Sequence, residues 1–237
     1  MLMLRYGYGM YFDPTYILVV IGLLLSMAAS AMVNSTFSKY SRVRSLSGMT
    51  GAEAARRVLN SAGIFDVRIE RVSGKLTDHY DPRNKVLRLS ESTYGSCSVA
   101  AICVAAHECG HAIQDQQQYG PLVLRSPLVA LANFGSTAAW PIFLLGLVMS
   151  LEPLVTLGIL FFGLAVLFQL VTLPVEFNAS ARAVRILEST GILGNQELDG
   201  GKKVLRAAAM TYVASLAASV LQLLRLIILA GGRRDRD

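Results

Sequence analysis

His107, Glu108 and His111 fall within VAAHECGHAIQ, residues 104–114, and the chain has one other histidine, His79. On a helix, positions four apart stand one turn apart on nearly the same face. His107 and His111 can therefore offer two imidazole nitrogens to a single divalent cation, and zinc takes such nitrogens at about 2.1 Å. Glu108 is turned roughly 100° around the helix from His107, off the ligand positions but within reach of a water beside the ion. A carboxylate there suits a general base in the hydrolysis of a polarised carbonyl. Chance is a poor rival: with three histidines and eight glutamates in 237 residues, random order gives this spacing about once in a thousand chains. Cys109 and Gly110 point elsewhere; as small residues they leave room for another segment, and Cys109 is not counted as a ligand.

A structural zinc closes its shell with a fourth protein ligand, typically cysteine, whereas a catalytic one leaves a position to water. Candidates for a third ligand are His79 and the acids Glu91, Asp115, Glu176 and Glu188. Glu176 stands out in LPVEFNASARAVRIL, where a helical pattern resumes at the end of an apolar run. A carboxylate one helix later, antiparallel to the first, is the gluzincin arrangement.

The elements that must position these residues include several that water would not tolerate. The composition is 53% hydrophobic and only 16% charged, with mean hydropathy +0.48, more apolar surface than a core of this size hides. About 20 apolar helical residues cross a bilayer, and charge-free runs of that order lie between Asp13 and Lys39, between Arg125 and Glu152, and between Glu152 and Glu176. A fourth begins near Ala207 and is interrupted by Arg225. Glu152-Pro153 alone separates the second and third runs, so they form a tight hairpin. The fourth carries Thr211, Ser215, Ser219 and Gln222 on one stripe, the small and hydroxylated face expected where membrane helices meet, and Arg225 is placed to snorkel to the helix end.

The first run resembles a signal peptide, but Arg5 against Asp13 makes a poor positive leader, and Lys39, Arg42 and Arg44 follow it at once. An uncleaved anchor is the better reading. These charges and Arg125 place residues 34–126 in the cytoplasm by the positive-inside rule; Arg233, Arg234 and Arg236 argue the other way if the fourth run spans. His111 and Glu176 flank a two-span hairpin, and an even number of crossings returns the chain to the side it left. The net charge of +6 sits in segments that abut apolar runs, which favours a membrane surface over nucleic acid. Cys97, Cys103 and Cys109 form no CxxC pair and no even disulfide set, as in a reducing compartment.

In the polar segment, Thr50 and Glu53 form a capping-box signature for a short amphipathic helix. FDVRIERV alternates like a strand, HYDPRNK is turn chemistry, and KVLRLS reads as a second strand. Ser96 or Ser98 then caps about four turns of motif-bearing helix, with Gly120-Pro121 as its stop.

The chain resembles the neutral zinc metallopeptidases of the YugP type, integral-membrane gluzincins, over nearly its whole length. The likeness rests on TGAEAARRVL (50–59), LTDHYDPRNKVLRLS (76–90), VAAHECGHAIQ (104–114) and LPVEFNASARA (173–183). More distantly the layout is similar to the CAAX-processing and heat-shock membrane gluzincins. The resemblance implies His107, His111 and Glu176 as ligands of one zinc ion and Glu108 as catalytic base. Ser180 occupies the place of the wider group's aspartate, so Ser180 or Asn178 would orient a ligand histidine by hydrogen bonding. His79 reads as a turn residue, with a substrate or oxyanion role as the alternative; Tyr80 and Arg182 are further oxyanion candidates. NKVLRLS could serve as an edge strand for an extended peptide or as an ordinary sheet strand.

The expected architecture is a mostly α membrane protein with about four transmembrane helices and a small α+β zincin-like catalytic domain, its HExxH helix preceded by a short sheet. Its expected segments are an anchor at 1–38, a catalytic region at 39–126, a transmembrane hairpin at 127–175, a third-ligand region at 176–206, and a final helix and tail at 207–237. The expected function is zinc-dependent endopeptidase action on membrane or membrane-proximal proteins, in a multi-pass protein of the bacterial inner membrane whose site faces the cytoplasm. The rival is a membrane scaffold that keeps zinc for folding alone. Partners are the bilayer and a peptide or membrane-protein substrate, with no nucleic acid; oligomeric state is not legible.

Overall fold

Residues 13–234 are described by the computed structural model. Arg5 and Arg236, used in the charge argument above, lie outside them. The elements in order are α1 (Tyr16–Tyr40), α2 (Gly51–Ser61), β1 (Arg68–Val72), β2 (His79–Asp81), β3 (Val86–Ser90), α3 (Glu91–Tyr94), α4 (Val99–Gln116), α5 (Gly120–Val148), α6 (Glu152–Ser189) and α7 (Asn195–Arg234). The fold is mostly helical with one small three-stranded sheet. Two compact units form. Among the described residues, one comprises 13–29, Leu124–Val171 and 212–234; the other comprises Ser30–Val123 and Thr172–Thr211.

Capping chemistry sets the helix ends in the second unit. The Thr50 hydroxyl accepts from the Glu53 amide while the Glu53 carboxylate accepts from the Thr50 amide, closing the box that starts α2. Ser98 Oγ accepts from the Ala101 amide at 3.2 Å and starts α4. The motif helix runs 18 residues, five turns rather than four. Gly120-Pro121 is not its stop: α4 ends at Gln116, Gln118 takes a left-handed φ of 50°, and Gly120-Pro121 opens α5. Proline suits that first turn because the N–H it lacks would have no intrahelical partner.

The sheet has the order β1-β3-β2, with β3 parallel to β1 and antiparallel to β2. Two expectations change. His79, Tyr80 and Asp81 are strand rather than turn; the turn is confined to 82–85, where Asp81 Oδ1 accepts from the Arg83 and Asn84 amides. The NKVLRLS strand is central, so its backbone is committed on both sides and the free edge near α4 belongs to β2. Val86, Leu87 and Leu89 of β3 are fully buried, as a strand with neighbours on both sides requires. Leu87 and Leu89 join Val58 and Leu59 of α2, Val99 and Ile102 of α4, and Leu187 of α6 in one core.

The four helices α1, α5, α6 and α7 are each long and apolar enough to cross a membrane. In the first unit Leu23, Leu24, Leu131, Leu145, Leu160 and Ile227 are exposed, an apolar surface suited to lipid rather than water. The hairpin between α5 and α6 turns at Met149–Leu151, with Ser150 left-handed. A Cβ on Gly146 would stand 2.6 Å from the Val155 nitrogen, so glycine lets the two helices close on each other there. On the polar stripe of α7, Ser219 accepts from Gln169 Nε2 at 2.7 Å. Arg225 does not snorkel. It is 8% exposed, with its guanidinium 3.4 Å from Asp13 Oδ2, 3.2 Å from Thr15 Oγ1 and 4.2 Å over the Tyr16 ring. In apolar surroundings a carboxylate and an aromatic face stabilise the cation more than a stretched side chain would.

Candidate metal centre

α4 and α6 meet closely because a glycine stands at the crossing. A Cβ on Gly110 would lie 2.5 Å from the Ala179 carbonyl oxygen. The adjacent turns of α4 carry His107 and His111, and the facing turn of α6 carries Glu176. His107 Nε2 stands 3.3 Å and His111 Nε2 3.6 Å from the same Glu176 Oε2, and the three potential ligand atoms all lie within 4.8 Å of one another. The imidazoles pack edge to face at 86° with centroids 4.8 Å apart. Among the described residues this is the one cluster of histidine, cysteine and carboxylate groups with metal-holding geometry.

Glu176 is 3% exposed, and its Oε2 is buried with no hydrogen-bond partner. Buried carboxylate oxygens are costly unless paired. An oxygen orphaned between two imidazole nitrogens fits a divalent cation, and the N, N, O donor set suits zinc. Burial opposes protonation of His111, but the Glu176 and Glu108 carboxylates and the Gln114 acceptor together outweigh it and lift its pKa.

The other ring nitrogens are held from behind. His107 Nδ1 is 3.1 Å from Ser180 Oγ, and His111 Nδ1 is 3.0 Å from Gln114 Oε1. Such bonds fix the ring orientation and the tautomer, leaving each Nε2 to face inward. Gln114 is fully buried, and its Nε2 donates to the Val175 carbonyl at 2.8 Å and to Asn178 Oδ1 at 3.0 Å. Asn178 in turn accepts from Arg182 Nε at 2.6 Å. Asn178 and Arg182 thus stand two and three steps behind His111. Gln114 was not singled out in the sequence; the signal was a glutamine three residues after a candidate ligand, in the apolar run AIQ.

Glu108 does not face Glu176. Its Oε2 accepts from the Tyr80 amide of β2 at 3.1 Å, so the free edge of the sheet holds this carboxylate beside the histidines. The Tyr80 hydroxyl donates to Asp115 Oδ2 at 2.9 Å, and Lys85 Nζ meets the same oxygen at 2.9 Å. Burial, and then the Asp115 charge, push the Tyr80 pKa well above its ordinary value, so its hydroxyl remains a donor. His79 is exposed and apart from the cluster; its Nδ1 is 2.9 Å from the Thr77 carbonyl oxygen and its Nε2 is 3.4 Å from Arg88 Nη1. Cys109 is buried with its thiol toward the Ala55 carbonyl at 3.6 Å, on the face of α4 turned to α2. Glu91 pairs with Arg71 at 2.9 Å.

Over residues 15–231 the chain matches the family described as "Putative neutral zinc metallopeptidase". It is 50% identical over 220 residues to the protein named "Putative membrane protease YugP" of Bacillus subtilis (strain 168), covering 93% of this chain and 98% of that one. No solved structure matches the chain. The family match takes in α2, the sheet, α4 and α6 alike, and the protein belongs to this family of neutral zinc metallopeptidases.

Proposed function

We propose that the protein is a membrane-embedded, zinc-dependent endopeptidase with a zincin-like site at the bilayer surface. Its substrates are membrane proteins or their juxtamembrane segments, and the site faces the cytoplasm of a bacterial inner membrane. One observation carries the reading: two imidazole Nε2 atoms converge on the orphaned Oε2 of Glu176, with both Nδ1 atoms already committed. His107, His111 and Glu176 would hold the ion. Zinc bound there would supply a Lewis acid that polarises the scissile carbonyl and makes water acidic enough to attack it at neutral pH.

The chain's own groups do the rest. Glu108 accepts the proton of the attacking water and delivers it to the departing amine. The Tyr80 amide steadies that carboxylate in reach of the histidines. Of the oxyanion candidates, His79 is exposed and apart from the cluster, and Arg182 is held by Asn178 and Gln117. Tyr80 stands directly on Glu108, and its hydroxyl would exchange Asp115 for the oxyanion. Its hydroxyl reaches Asp115, one helical turn past His111 on the same face of α4.

The test is cleavage of a membrane-protein substrate by reconstituted protein, with zinc content measured in parallel. Glu108→Gln should abolish cleavage and keep one zinc per chain. Tyr80→Phe should keep zinc and lower kcat by about 10²-fold, the usual cost of one oxyanion donor. If Glu108→Gln cleaves like the parent, the proposed base is wrong. If the parent binds zinc and cleaves nothing in a broad panel, the metal is structural and the protein is a scaffold.

A further inference from the structure

A cavity of about 550 Å³ opens between the C-terminal half of α1 and the N-terminal half of α7, away from the histidine cluster. Lys39, Lys203 and Arg206 line it together. None of the three pairs with a carboxylate among the described residues. The acids nearest in sequence are engaged: Glu197 accepts from the Leu46 and Gly194 amides, and Asp199 stands 3.6 Å from Lys202. α1 contains no acid at all. Three exposed like charges around one space favour an anion among them.

Position along the chain says what kind of anion. Lys39 closes the charge-free run that begins after Asp13, and Arg206 immediately precedes the one that begins at Ala207. Both therefore mark the level at which apolar helix gives way to polar chain, where lipid headgroups lie. The rest of the lining continues into the apolar runs: Met32 sits two turns before Lys39, and Met210 one turn after Arg206. Beside the lining residue Tyr40 the two helices pack closely: a Cβ on Gly200 would lie 2.5 Å from the Tyr40 ring. A free phosphate needs only the cations; a phosphate carrying acyl chains uses the methionine floor as well.

We infer that this groove binds the phosphate headgroup of an anionic glycerophospholipid, with Lys39, Lys203 and Arg206 around the phosphate and an acyl chain along Met32 and Met210. The site is independent of the metal centre and of the peptidase reading.

The full chain in detergent, titrated with phosphatidylglycerol and with phosphatidylcholine of the same chains, should retain the anionic lipid preferentially in native mass spectrometry. Replacing Lys39, Lys203 and Arg206 by glutamine, singly and together, should weaken phosphatidylglycerol retention about fivefold for each charge removed and leave phosphatidylcholine unaffected. Lys203→Arg should bind as the parent does. The single variants guard against misfolding of the triple, and each is checked by its zinc content and thermal unfolding. Equal retention of the two lipids, unchanged binding in well-folded single variants, or retention of inorganic phosphate as tight as that of the lipid would each overturn the assignment.

Discussion

At the scale of single residues, the unusual member of the site is Gln114. Metal-binding histidines more often lean on a carboxylate or a backbone carbonyl; here a buried amide takes that place for His111 and passes the restraint on to Val175 and Asn178 of α6. Gln114→Ala should remove a buried acceptor and free the ring to rotate. We expect zinc affinity to fall by about 10- to 100-fold, read by competition with a chromogenic chelator, while Gln116→Ala changes nothing. The HExxH spacing was legible because two histidines and a glutamate on one helix make a local pattern. Gln114 was not, because it opens a run, QDQQQ, whose last members are solvent-facing. Only the arrival of α6 distinguishes it from them. Ser180 was expected to orient a ligand histidine on the strength of the family resemblance, although its partner His107 lies 73 residues away.

Elements position these groups, and the crossing of α4 with α6 is the critical one. Alanine is favoured over glycine by about 1 kcal/mol inside a helix, so on propensity alone Gly110→Ala should stabilise α4. The Ala179 backbone facing that position cannot retreat as a flexible side chain would. We therefore expect Gly110→Ala to destabilise by about 1–3 kcal/mol and to lower bound zinc, measured by thermal unfolding and metal analysis. Gly120→Ala, with open space around it, is the control. Glu176 stood out where a helical pattern resumes at the end of an apolar run, and the even number of spans between it and His111 served as a separate check. The third strand was hidden: HYD is too short to show alternation and runs directly into Pro82, so its turn residues masked a strand that exists through pairing with β3. Gly120-Pro121 misled for a related reason, since the same dipeptide ends one helix as readily as it begins another.

For the molecule as a whole, the apolar helices were the easiest feature to read, because hydropathy over 20 residues needs no knowledge of partners. What joins them was harder, as with Arg225, whose partner Asp13 is 212 residues distant in the chain. Removing one member of a buried pair strands the other, at a cost of about 3 kcal/mol. Arg225→Leu should therefore lower the thermal unfolding temperature, and adding Asp13→Asn should recover part of the loss; equal unfolding of parent and Arg225→Leu would show the pair to be dispensable.

β2 carries a last consequence. It is three residues long, and ladder alternation turns only Tyr80 outward, with its amide already given to Glu108. A guest polypeptide laid along that rim would find little more than one carbonyl to grip. So short a rail cannot read a lengthy recognition sequence. Choice among clients would then fall to geography: which chains are tethered at the right depth, with a loose stretch long enough to reach the rim.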